Sequence, residues 1–147
     1  ISSIELFHKT QGKYTLTALF APEHGIDGKA YAYRTLKKGI THKEVPIHNL
    51  FGSTKRPTKE MLDLVDVIIY DIQDVGSRAY TYTTTLYYVM EEAAKYGKTV
   101  IVLDRPNPMG GIIVDGPMLE DSSRSYMGYI NVSWRCFLIK STKSDVN

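Results

Sequence analysis

"VDVIIYDIQDVGSRAYTYTTTLYYVMEEAAKYGKTVIVLDRPNP", residues 65–108, is the stretch on which the fold turns. It opens with Val67 to Ile72, a continuous apolar run that suits a parallel strand buried on both faces. A polar loop, "QDVGSRAYTY", follows. Leu86, Val89, Met90 and Ala93 then recur at i, i+3, i+4 and i+7, while Glu91, Glu92 and Lys95 point elsewhere, which predicts an amphipathic helix that Gly97 ends in the left-handed conformation. Thr99 to Leu103 reads as the next strand, and "DRPNPMGG" excludes regular structure through two prolines and two glycines. Strand, helix and strand in this order make a βαβ unit, whose strands pair in parallel through a right-handed crossover.

Toward the N-terminus the same grammar continues. Thr58 is placed to cap a short helix that presents Met61, Leu62 and Val65 on one side. Val45 to Leu50 is a strand that Pro46 pushes toward an edge position or marks as a strand start. Gly25 to Thr41 holds three glycines and little periodicity, as a long functional loop does. Thr15 to Phe20, "TLTALF", is β-branched and apolar and stops at Ala21-Pro22, so it reads as a further strand. The order along the chain is that of an α/β protein with a parallel sheet.

Composition narrows the function classes. The 147 residues, 43% apolar, suffice for one domain with a real core. The net charge of +2 is spread out, and Lys37-Lys38 and Lys55-Arg56 form no stripe, so no nucleic-acid partner is expected. A single cysteine, Cys136, excludes an internal disulfide and a cysteine-rich zinc site. No stretch approaches the roughly 18 apolar residues of a membrane span. No G-x-G-x-x-G or G-x-x-x-x-G-K-[ST] is present, which removes the usual nucleotide cradle, and no cofactor is expected. The absence of G-x-S-x-G weakens a serine hydrolase.

Ligands of parallel α/β sheets bind beyond the carboxyl ends of the strands. Three polar clusters fall there: Pro22-Glu23-His24-Gly25, Asp71-Ile72-Gln73-Asp74 and Asp104-Arg105-Pro106-Asn107. Glu23, Asp71, Asp74 and Asp104 supply carboxylates, and Arg78, Arg105 and His24 supply donors, an inventory suited to acid–base work on a polar substrate. Cleavage of a glycosidic bond takes two carboxyl groups. The bland readings stand beside these. Asp71 and Asp104 also fit loop or helix caps, and Tyr80 and Tyr82 fit either a stacking wall for a sugar or core and helix-start positions. His24 reads as a hydrogen-bonded neighbour of Glu23, because no His or Cys lies at zinc-motif spacing from it, and no metal site is expected.

"LFAPEHGIDG" (Leu19–Gly28), the block Val65–Ala93, "VIVLDRPNPMGG" (Val100–Gly111) and "VDGPMLE" (Val114–Glu120) together resemble the NamZ family of exo-β-N-acetylmuramidases, glycoside hydrolase family 171, formerly YbbC-like proteins. The resemblance spans about Leu16 to Gly128. It implies a Rossmann-like, mostly parallel sheet with flanking helices in residues 1–128. It further implies release of N-acetylmuramic acid from the non-reducing end of peptidoglycan-derived muramyl saccharides, and a secreted or periplasmic location from that substrate class. Under it, Glu23 is the catalytic acid/base, Asp71 and Asp74 are the candidates for the second carboxyl, and His24, Arg78, Tyr80, Tyr82, Arg105 and Asn107 hold the sugar, the arginines facing its lactyl carboxylate. Two segments depart from the family pattern, residues 29–43 and "NVSWRCFLIKSTKSDVN" at 131–147. Residues 129–147 are accordingly expected to be an atypical, poorly ordered tail, with the family's second subdomain absent. The same residues fit two other functions, a non-catalytic sugar-binding or regulatory remnant of the fold, and a metal-dependent hydrolase using His24 with Asp71 and Asp74.

Overall fold

A parallel crossover is what the 65–108 segment builds. The computed structural model describes residues 3–9, 12–29, 31, 41–110, 112 and 115–131. In chain order its elements are α1 (Ser3–Lys9), β1 (Leu19–Ala21), β2 (Thr41–His42), β3 (Val45–Asn49), α2 (Lys59–Leu62), β4 (Val67–Tyr70), α3 (Thr81–Lys95), β5 (Thr99–Val102) and a 3-10 turn at Asp121–Ser123. The chain divides into two compact units, one of Ile1–Asp71 with Thr85–Val102 and one of Ile72–Thr84 with Leu103–Asn147. The tail expected to be poorly ordered falls outside the described residues from position 132 onward, as does most of the 29–43 loop.

In the first unit β4 and β5 pair in parallel, Val67 opposite Thr99 through Tyr70 opposite Val102. Ile68 joins Ala18, Leu50, Leu62, Val65, Val89 and Ala93 in one core, against which Phe20, Met61 and Val100 also pack. The helix α3 ends as its sequence predicts: Gly97 takes φ +64°, and the Lys98 N–H reaches the Ala93 carbonyl at 2.8 Å while the Gly97 N–H reaches Ala94, the two bonds of a Schellman cap. Thr58 caps α2, its hydroxyl accepting from the Met61 N–H, and Leu62 is fully buried.

Two expectations about burial are corrected. The strand β4 is covered on one face only: Ile68 is 7% exposed, whereas Val67 and Ile69 are 45% and 37% exposed, and Ile101, opposite Ile69, is 45% exposed. Side chains alternate across a strand, and the core described above lies on the Ile68 side. On α3, Met90 is exposed and Glu92 is buried, the reverse of the predicted stripe. The buried face includes Thr85 and so leans toward Glu92. Burial there is tolerated because the carboxylate is paired, with Lys95 Nζ at 2.8 Å and Arg56 Nη1 at 3.2 Å. The hydrogen bond from Lys95, with help from Arg56, holds Glu92 below the usual carboxylate range. The same Arg56 guanidinium lies 3.8 Å over the Tyr88 ring and 2.5 Å from Glu91, tying the segment before α2 to α3.

The parallel strands form two ladders. The strand β1 pairs with β3 in parallel, Leu19 opposite Ile47 through Ala21 opposite Asn49, and β2 adds an antiparallel edge to β3. Pro46 is the second residue of β3 and lies opposite Thr41, so the strand is the central one of its sheet and not the edge that the proline suggested, with the β1 ladder beginning at the next residue. Thr15 to Ala18 lie outside regular structure, so the first strand is shorter than the apolar run suggests. Neither α1 nor the β2–β3 hairpin is anticipated by the sequence analysis. The hairpin turns on Lys43 and Glu44, with φ +48° and +70°, the paired left-handed conformation of a type I′ turn without its usual glycine.

In the second unit, Leu119 is buried, and Ser125 and Gly128 exchange backbone hydrogen bonds of 2.9 and 3.1 Å.

His48 on β3 packs its ring 5.6 Å from that of Phe20, and its Nε2 is buried without a hydrogen bond. Burial holds the imidazole below its ordinary 6.5. The unfolded chain therefore takes up a proton near that pH before the folded one does. His48 supports the fold fully above about pH 6.5, and that support is lost as pH falls through the lowered folded value. His48→Phe is expected to flatten the fall of the thermal unfolding midpoint between pH 7 and pH 5. A variant midpoint that tracks wild type across that range would contradict the assignment.

Candidate functional site

"PEHG" forms a β-turn at the carboxyl end of β1. The Gly25 N–H closes it onto the Pro22 carbonyl at 3.0 Å, and His24 at its third position has φ +71°. With Glu23 outside the positive-φ set, this is the type II pattern, in which the third position normally requires Gly or Asn. A histidine there stores backbone strain of about 1 kcal/mol or more, and strain of this kind clusters at working sites. The turn keeps Glu23 only 8% exposed, an unusual setting for a carboxylate. His24 is half-buried beside it.

Asp71, also in the first unit, follows β4 directly. Its Oδ2 accepts a hydrogen bond from the Ser3 hydroxyl at the start of α1, so the element that the sequence analysis misses is the one that orients this carboxylate.

The remaining candidates belong to the second unit. Both carboxyl oxygens of Asp74 are shielded from solvent and close no hydrogen bond of standard geometry. Burial pushes this carboxyl above its ordinary 3.8; the nearby Gly76 and Val75 N–H groups pull the other way, and the charge of Asp104 adds a smaller upward push. Two residues on, Gly76 has φ +77°, and its Cα faces the Oδ1–Nδ2 edge of the Asn107 carboxamide: a Cβ there would stand 2.8 Å from Asn107 Cγ and closer still to the two terminal atoms. Asn107 is held in turn, its Oδ1 accepting from the Met109 N–H at 2.9 Å and its carbonyl from the Gly110 N–H at 2.9 Å.

Arg78 is 9% exposed and donates from Nη1 to the Pro117 carbonyl at 2.8 Å, beside Leu119 and Gly128. It ties the "QDVGSR" loop to the "VDGPMLE" segment. Arg105 is exposed, its backbone N–H bonded to the Asp104 carboxylate at 2.8 Å. Tyr80 is exposed just before α3, where its carbonyl accepts from the Thr83 hydroxyl, and Tyr82 is half-buried in the first turn. The structure therefore brings Asp74, Gly76, Asp104 and Asn107 together, and places Arg78 with Pro117. Glu23, His24 and Asp71 occupy the first unit. Gly76 and Ser3 went unread because their partners lie 31 and 68 positions away; Gly76 left a signal only as a glycine within a loop. Among the described residues no three His, Cys, Asp or Glu side chains are grouped as a metal site requires.

Glu23, buried on a strained turn after β1, belongs to the first unit, and Asp74, desolvated in a loop after β4, to the second. The chain belongs to the NamZ family: the model of the N-terminal part of the exo-beta-N-acetylmuramidase NamZ matches residues 1–138. It is 47% identical over 128 residues to the peptidoglycan beta-N-acetylmuramidase NamZ of Bacillus subtilis (strain 168), covering 86% of this chain and 31% of that protein. Two crystal structures of DUF1343 family proteins from Bacteroides fragilis NCTC 9343 share the fold. One has a TM-score of 0.81 at 39% identity, covering 92% of this chain and 33% of the other. The second has a TM-score of 0.65 at 34% identity, covering 83% and 31%. The chain thus spans about a third of the length of these relatives.

Asp74 carries a stability signature that follows from its burial. Because its folded value lies above 3.8, ionising it costs stability as pH rises from 3.8 through the folded value, and the cost is complete at neutral pH if the folded value is passed. Asp74→Asn is expected to raise the unfolding midpoint by a few degrees at pH 7, with the gain shrinking to nothing as pH falls toward 3.8. A variant less stable than wild type at pH 7 would show that the carboxylate is held by contacts stronger than its burial cost.

Proposed function

We propose that this chain supplies the carboxylate side of a glycoside hydrolase that releases N-acetylmuramic acid from the non-reducing end of peptidoglycan fragments. The observation that carries this reading is Glu23, buried by a turn whose strained His24 holds it in place. Glu23 gives its proton to the glycosidic oxygen as the bond breaks. A second carboxyl group then attacks the anomeric carbon or activates water. Asp71, oriented by Ser3, and Asp74, desolvated beside Asn107, are the two candidates for that role. An N-acetylmuramic acid unit differs from other wall sugars by its lactyl carboxylate, and Arg105, exposed after β5, is the cation best placed to receive an anion. Tyr80, also exposed, offers a ring face to the pyranose. Arg78, buried and donating to Pro117, serves by shaping the loop that carries Asp74. A substrate of this class favours a secreted or periplasmic location. No described helix is long and apolar enough to cross a membrane.

The test replaces the matching third of the Bacillus subtilis relative with this chain and follows hydrolysis of a chromogenic β-N-acetylmuramide. The chimaera is expected to turn over substrate, and Glu23→Gln to lower kcat by roughly 100-fold or more, the scale of losing a general acid. A substrate with a poor leaving group should suffer most. Near-wild-type turnover by the Glu23→Gln chimaera, with circular dichroism unchanged, would remove Glu23 from the mechanism; a folded chimaera without any turnover would favour a sugar-binding role for this chain.

A further inference from the structure

We infer that Asn107 is a positioning residue: its carboxamide, set edge-on against the Cα of Gly76, locks the loop that carries Asp74 and keeps that carboxyl group out of water. The inference rests on the proposed glycosidase reading only for its effect on turnover.

The geometry has three parts. Gly76 is buried at φ +77°, a conformation that side chains other than glycine rarely adopt. The space a Cβ would need there is filled by the Oδ1–Nδ2 edge of the Asn107 carboxamide, with Cγ behind it at 2.8 Å, so the amide abuts the glycine edge-on. Asn107 is fixed from its own side by the Met109 N–H on Oδ1. Two residues before Gly76 in the same loop lies Asp74, both of whose carboxyl oxygens are shielded from solvent. The charged and polar groups that act on it are Asp104 and the Val75 and Gly76 N–H groups. The Asp74 backbone is pinned as well, its carbonyl accepting from Gln73 Nε2 at 2.8 Å.

The experiment has two readouts. In the 147-residue chain, the Asp74 carboxyl is titrated by 13C NMR in wild type, Asn107→Ala, Gly76→Ala and the pair Gly76→Ala/Asn107→Gly. In the chimaera, kcat and KM are measured for the same variants. Asn107→Ala is expected to return the Asp74 titration toward pH 3.8 and to lower kcat at least tenfold with KM changed less than twofold. Gly76→Ala is expected to do the same by expelling the carboxamide, and the paired variant, which removes the clash, to recover more of the wild-type titration than Gly76→Ala alone. An unchanged Asp74 titration in Asn107→Ala would overturn the inference. So would a large rise in KM with the titration unchanged, which would make Asn107 a sugar contact. A titration that moves while kcat stays at wild type supports the positioning role and overturns the part of Asp74 in the reaction.

Discussion

The in-register parallel pairing of β4 with β5 is the constraint on which the rest depends. Tyr70 opposite Val102 ends both strands at one level, and what the chain places after those ends is "DIQDVG" and "LDRPNP". A slip of one residue would turn Ile68 out of the core and bring Ile69 in, since side chains alternate. Ile68 is held by Val89 and Ala93 of α3 and by Leu62, and α3 is stopped at Gly97 in time for β5 to begin at Thr99. Register, helix length and cap are thus one condition stated three times.

The two aspartates that the sequence treats as equals turn out to live differently. Asp71 is engaged by a serine hydroxyl from α1, whereas both carboxyl oxygens of Asp74 are shielded from solvent. Burial is the largest influence on Asp74 and pushes its carboxyl upward against the pull of the Gly76 and Val75 N–H groups.

Much of this was legible because it is local. The helical period of Leu86, Val89 and Ala93, the Thr58 cap and the Gly97 stop all act within a turn or two of the chain, and the structure reproduces each. The "PEHG" turn was legible from Pro22 and Gly25, although the residue that takes the left-handed conformation proved also to be His24. What was hidden depended on distant partners. Glu92 is buried because Arg56, 36 positions earlier, reaches it. The contact of the Asn107 carboxamide with Gly76 joins positions 31 apart and gives no sign in the sequence. The Lys43-Glu44 hairpin carries no glycine, so its turn chemistry gave no sign, and α1 is too short for its period to stand out.

The uncovered side of β4 and β5 gives the fold an open thermodynamic account with its surroundings. Val67, Ile69 and Ile101 remain partly in water after folding, so the transfer free energy of that surface, about 25 cal/mol for each Å², is only partly realised. Any body that lies on this face binds the native chain and not the unfolded one, and adds to its stability by mass action. A ligand that bound this face of the native chain alone would raise the melting temperature in step with its own concentration.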